Sequence, residues 1–187
     1  MLGLRSIAPR GCRTVHHADR ATVESMAIAI MSWLLAIPLL GVATGLRSLT
    51  GIAVLCWFAY LGYLPVGGTW ASWTASVAAV AVFTVLAIGE YIVDKLPHTP
   101  DRTAPGPLLA RLVLGGLAGS ISATAMAGPG LEGVLLGVAG AALGAFAGFM
   151  IRRDLVASFG CPDWPVAVVE DLLALLCAIF SMHVVTS

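Results

Sequence analysis

The sequence predicts an all-α fold, a polytopic bundle of about six transmembrane segments. Three observations carry that reading. Apolar side chains make up 59% of the 187 residues and charged ones 11%, against about 25% charged in an ordinary soluble domain. The mean hydropathy is +0.95. The charges also fall in short blocks between apolar runs, each near the about 20 residues that a helix needs to cross hydrocarbon. Such a chain has too little polar surface to cover itself in water. In a bilayer it has no need to.

The first segment is residues 26–45, "MAIAIMSWLLAIPLLGVATG". Pro38 lies within it and should bend it, because proline removes a backbone donor and crowds the preceding turn. The second is residues 49–64, "LTGIAVLCWFAYLGYL", with only "LRS" before it. This pair reads either as two spans or as a tight, broken helix pair. "LPVGGTW" turns the chain into the third segment, residues 71–96, with Trp70 and Trp73 suited to a membrane interface. "KLPHTPDRTAPGP" holds four prolines and reads as an exposed loop. The fourth segment, residues 108–127, ends at "GPG"; the fifth, residues 131–151, stops at "RRD". "FGCPDWP" is a second break, with Trp164 at an interface, and the sixth segment is residues 166–185. Residues 26–187 thus form one transmembrane domain. Residues 1–25 read as a disordered tail or a mis-assigned start, with Met26 or Met31 as the true one.

With six spans, Arg47, Lys95, Arg102, Arg111, Arg152 and Arg153 share one membrane face, whereas "PVGGTW" and "AGPGLEG" on the other contain no Lys or Arg. The positive-inside rule makes the charged face cytoplasmic. Arg5, Arg10, Arg13 and Arg20 of the tail favour the opposite placement of the first segment. Treating the tail as an extended start removes the conflict.

The glycines suit helix packing. Gly140, Gly144 and Gly148 recur every fourth residue, and Gly41/Gly45 and Gly115/Gly119 repeat the spacing. Bare backbone lets helices approach closely in lipid. Besides the bilayer, the partner this suggests is a second copy bound through glycine-rich faces. "LLGVATGLRSLT" also aligns with "VLGGLAGSISAT"; two inverted halves are one reading of that match, and chance likeness of small residues, since the match does not extend, is the other.

One block is out of place in an apolar run. Glu90 lies six residues before the end of the third segment, about 9 Å inside it at about 1.5 Å per residue. Glu170 and Asp171 enter the sixth segment from the same face, and Asp94 shares a helical face with Glu90. A charge at mid-helix costs about 2.5 to 3.5 kcal/mol to insert, less near the interface. Pairing lowers that cost, so a layer of carboxylate–arginine pairs is expected at the cytoplasmic end. The candidate ion- or solute-binding residues are Glu90, Asp94, Glu170, Asp171 and Arg47, with Lys95, Arg152 and Arg153 as charge-pairing support. One reading has these pairs lock the helices. The other has Glu90 or Glu170 bind a cation or proton in a hydrated cavity. Ser48, Thr50, Ser120, Ser122 and Thr124 offer hydroxyls to such a path, or back-bond to their own helices.

Other chemistries find no footing. Cys12, Cys56, Cys161 and Cys177 are scattered and read as packing residues, and the four histidines lack zinc spacing. No hydrolase, Walker or metalloprotease motif is present. No cofactor, metal or enzyme activity is expected, and a net charge of zero gives no case for nucleic acid.

Four blocks act in combination: "GVATGLRSLTGIAVL", "GEYIVDKLPHTPDRTAPGPLLARLVLGGLAGS", "GAFAGFMIRRDL" and "DWPVAVVEDLLAL". Through them the chain, from about Ala29 onward, resembles a bacterial family of small integral membrane proteins known as domain of unknown function 4126. The resemblance implies a multi-span inner-membrane protein and carries no assigned catalytic residue. The functional expectation is a small permease or channel for an ion or small solute. The alternative is a non-transporting scaffold or accessory subunit that packs partner helices through its glycine faces.

Overall fold

The computed structural model describes residues 30, 33–94, 105–159 and 163–186. Among these every regular element is a helix. In chain order they are α1 (Trp33–Leu46), α2 (Thr50–Tyr60), a 3-10 helix (Trp70–Ala75), α3 (Val77–Val93), α4 (Pro105–Ala125), α5 (Gly130–Phe159) and α6 (Asp163–Thr186). The tail expected for residues 1–25, and Lys95, lie outside the described residues.

Among the described residues three helices are long and apolar enough to cross a membrane, fewer than the six expected: Pro105–Ala125, Gly130–Leu155 and Trp164–Thr186. The shortfall lies in the first half of the chain. α2 has 11 residues, about 16 Å at about 1.5 Å per residue, against about 30 Å of hydrocarbon. It ends where Gly62 takes a left-handed φ of 81°. Gly62 N–H then bonds Ala59 O at 3.1 Å and Tyr63 N–H bonds Phe58 O at 3.0 Å, the pairing that closes a helix after a glycine. The chain from there to α3 is anchored by four buried residues, Leu64, Val66, Ala71 and Thr74.

Boundaries also moved. The third segment opens as a 3-10 turn, and α-helix begins at Val77, capped by Ser76 Oγ accepting from Ala79 N–H at 3.1 Å. The proline-rich block is not all loop, because α4 starts at Pro105 and contains Pro107. First-turn N–H groups have no helical partner, so proline removes nothing there. α5 does not stop at "RRD" but continues through Arg152, Arg153 and Asp154 to Phe159.

α5 sits between two neighbours, and glycine decides both contacts. On one side Gly133 and Gly137 meet Gly115 and Gly119 of α4. On the other, Gly140 and Gly144 meet the backbone of Pro38, Gly41 and Val42 in α1. A Cβ on Gly41 would stand 2.5 Å from Gly137 O and 3.0 Å from Gly140 Cα, so only bare backbone permits this approach. The glycine faces are therefore consumed within the chain. α2, α3 and α6 pack around this unit through Leu55, Ile52, Val80, Ala178 and Met182. Ser181 Oγ of α6 donates to Ala36 O of α1 at 2.6 Å.

Candidate functional site

The site forms where α1 stops and α2 begins. Only Arg47, Ser48 and Leu49 separate them, and α2 folds back on α1, since a Cβ on Gly51 would lie 3.4 Å from Leu40 O. Such a tight turn leaves carbonyls at the end of α1 and N–H groups at the start of α2 without helical partners. In lipid each must be met by protein.

Side chains from two other helices meet them. Arg111 of α4, 3% exposed, donates from Nη1 to Gly45 O at 2.6 Å and to Leu46 O at 3.2 Å. Leu49, the residue before α2, has no capping side chain of its own. Glu90 of α3 supplies one: its Oε1 accepts from Ser48 N–H at 2.8 Å and its Oε2 from Leu49 N–H at 2.9 Å. A cation thus sits at a helix C-terminus and an anion at a helix N-terminus, each where the helix dipole favours it. Arg111 Nη2 and Glu90 Oε1 are 4.0 Å apart, which joins the two caps.

Arg47 is the hub of the layer. Its side chain is fully buried and forms ion pairs with Asp94 at the end of α3 and with Asp171 of α6. The Tyr91 ring lies 5.7 Å from its guanidinium carbon, within cation–π range, and the Tyr91 hydroxyl pairs with Thr50 Oγ1 at 2.7 Å. Glu170 precedes Asp171 but points elsewhere, since consecutive helical residues face different sides. Its Oε2 is 3.9 Å from Arg152 Nη1 of α5, and Glu170 is 7% exposed.

The structure therefore brings Arg47, Glu90, Asp94, Glu170, Asp171 and Arg152 to one end of the bundle. Arg153 is not among them: it is exposed and pairs with its neighbour Asp154 at 3.2 Å. Lys95 falls outside the described residues. Of the two acids singled out for ion loading, Glu90 has both oxygens committed to backbone N–H groups. Arg111 and Tyr91 were missed as site residues. An arginine seven residues into an apolar helix was the available signal for Arg111, and nothing in the local sequence marked Tyr91.

The hydroxyls divide. Ser122 and Thr124 bond back to Ala118 O and Ser120 O at 2.9 and 2.8 Å, the ordinary fate of such residues in helices. Thr124 Oγ1 also accepts from Trp70 Nε1 at 3.1 Å. Cys56 is buried in the core and Cys177 is half-buried. Among the described residues no three His, Cys, Asp or Glu side chains converge as a metal site. Comparison with protein families, with characterised proteins and with solved structures finds no match to this chain.

Proposed function

We propose that the chain is a small multi-pass inner-membrane permease or channel for an ion or small solute, with a small cation as the best-fitting cargo. Six membrane segments, the first two a tight helix pair in which α2 is too short for a full crossing, with the charged layer cytoplasmic, belong to the same proposal, as does membership of the family that the sequence resembles. The blocks that carry that resemblance are the ones that build the layer: Arg47, Glu90 and Asp94, Arg152, then Glu170 and Asp171.

One observation carries the reading. A fully buried arginine is held by carboxylates from two different helices, Asp94 and Asp171, at a helix turn. Ion sites in transporters gather at such helix breaks, where dipole ends and charges already face one another. Arg47 is an internal cation held by two acids. A cargo cation that reaches Asp171 competes with Arg47 for it, and while it is bound the link between α6 and the α1–α2 turn is broken. That gives the layer two alternative pairings, which is what gating requires. Glu90 and Arg111 hold the turn in place meanwhile.

The scaffold alternative is less well supported, because the glycine faces it would use are closed on α1 and α4. The test is flux in proteoliposomes. Protons, sodium and potassium are offered in turn to wild type and to Asp171→Asn, with insertion and melting temperature followed in parallel. Flux of one of them in wild type, lost in the folded variant, is expected. A folded, inserted wild type that moves none of them, or a variant that moves them equally well, refutes the proposal.

A further inference from the structure

A cleft of about 260 Å³ opens between α1, α5 and α6. Its walls are Val42 and Leu46 of α1, Ala147 and Ile151 of α5, and Val169 and Leu173 of α6, and its charged end is formed by Arg152 and Glu170. Gly144 and Gly148 keep its floor low. Ile151 and Val169 at the rim are 59% and 57% exposed, so the cleft opens sideways, toward the hydrocarbon around the bundle. Apolar cavities of about 150 Å³ already stay dry and take up apolar guests. A void of this kind forfeits dispersion contacts along its whole lining. The medium that reaches it in a bilayer is an acyl chain.

The charged end selects the headgroup. Arg152 Nη1 and Glu170 Oε2 stand 3.9 Å apart, wider than a hydrogen bond. Their side chains keep 19% and 9% exposure. The next two residues outward, Arg153 and Asp154, repeat the pairing of a cation with an anion. An anionic headgroup would meet Glu170 as a like charge. A zwitterion exchanges partners without net cost in charge: its phosphate takes Arg152 and its cationic end takes Glu170. A primary ammonium donates hydrogen bonds to the carboxylate, whereas a trimethylammonium has none to give.

From this we infer that the α1–α5–α6 cleft is a binding site for a zwitterionic phospholipid with a primary ammonium headgroup. One acyl chain lies along Ala147 and Leu173, and the headgroup bridges Arg152 and Glu170. The site is distinct from the Arg47 hub, because Glu170 and Asp171 face different sides of α6.

The test is native mass spectrometry of the full chain in mild detergent. Phosphatidylethanolamine, phosphatidylcholine and phosphatidylglycerol are offered with identical acyl chains. One retained phosphatidylethanolamine per chain is expected, with about tenfold preference over each of the others, the factor that one charge-assisted bond supplies. Ala147→Phe fills the cleft from an already exposed position, so it should leave the fold intact and abolish retention. Glu170→Gln should remove the preference for phosphatidylethanolamine, whereas Arg152→Gln, which loses the phosphate partner common to all three lipids, should weaken retention of each. Equal retention of the three by wild type overturns the inference, as does undiminished retention in Ala147→Phe. A lipid-free dimer that Ala147→Phe dissociates would assign the cleft to a second copy and overturn it too.

Discussion

Replacing Arg47 by methionine keeps much of the side-chain volume and removes the charge that holds Asp94 and Asp171. Both carboxylates then lose the cation that they share. Breaking a buried ion pair from one side costs about 3–5 kcal/mol, because the remaining charge is left uncompensated. Here the acids keep 13% and 15% exposure, so the lower end, about 3 kcal/mol, is expected. In a chain of this size each kcal/mol shifts the melting temperature by about 2–4 °C, which gives a fall of about 6–12 °C. The assay is thermal unfolding in detergent, followed by tryptophan fluorescence and by size-exclusion chromatography of heated samples. The second arm is the neutral triple variant Arg47→Met, Asp94→Asn, Asp171→Asn. It removes the stranded charges with the arginine and should regain most of the loss, since an uncharged replacement for a buried ion cluster is often neutral or better. If Arg47→Met melts within about 2 °C of wild type, the three groups do not form the buried hub described. If the triple variant is no more stable than the single one, electrostatics is not what the single change disturbs.

Three further outcomes are expected. Gly41→Ala must move its Cβ from 2.5 Å off Gly137 O to the 3.4 Å where ordinary contact begins, at about 1–3 kcal/mol, whereas Gly89→Ala meets open space and should leave the melting temperature unchanged or higher; similar melting of the two would contradict the backbone-to-backbone packing of α1 on α5. Glu90→Gln removes the anion at the start of α2 and should lower stability by about 1 kcal/mol, with faster hydrogen exchange at the Ser48 and Leu49 amides; unchanged exchange there would rule out capping by Glu90. Ser181→Ala deletes the 2.6 Å bond to Ala36 O and should cost about 0.6 kcal/mol, up to about 1.7, read as a small drop in melting temperature; a rise would mean that the hydroxyl does not bridge α6 to α1.

The second half of the chain was largely legible beforehand. The fourth, fifth and sixth apolar runs became α4, α5 and α6, because a long apolar stretch in lipid has little choice but helix. Their ends were less legible. Proline at the start of α4 looked like a breaker, and "RRD" looked like a stop, yet a helix carries prolines in its first turn and charges beyond the hydrocarbon without penalty. The first half was harder to read, since "LRS" alone does not say whether two runs cross the membrane or fold back on each other. The grouping of Arg47, Asp94 and Asp171 followed from alternating segments and from the cost of isolated charge at depth. Which acid pairs with which arginine did not, because partners lie 47 residues apart in one pair and farther in the other.

The sequence by itself determined that the chain is helical and apolar enough for a bilayer, and which acids and arginines interrupt its apolar runs. Composition and segment length decide those matters, and both are local properties. Only the tertiary structure decided that Glu90 caps α2 instead of standing free, that Arg111 closes the end of α1, and that the glycine stripes face inward. Each depends on which helix lies beside which, and in a membrane, where every run is hydrophobic on all sides, no amphipathic pattern in the sequence records that choice.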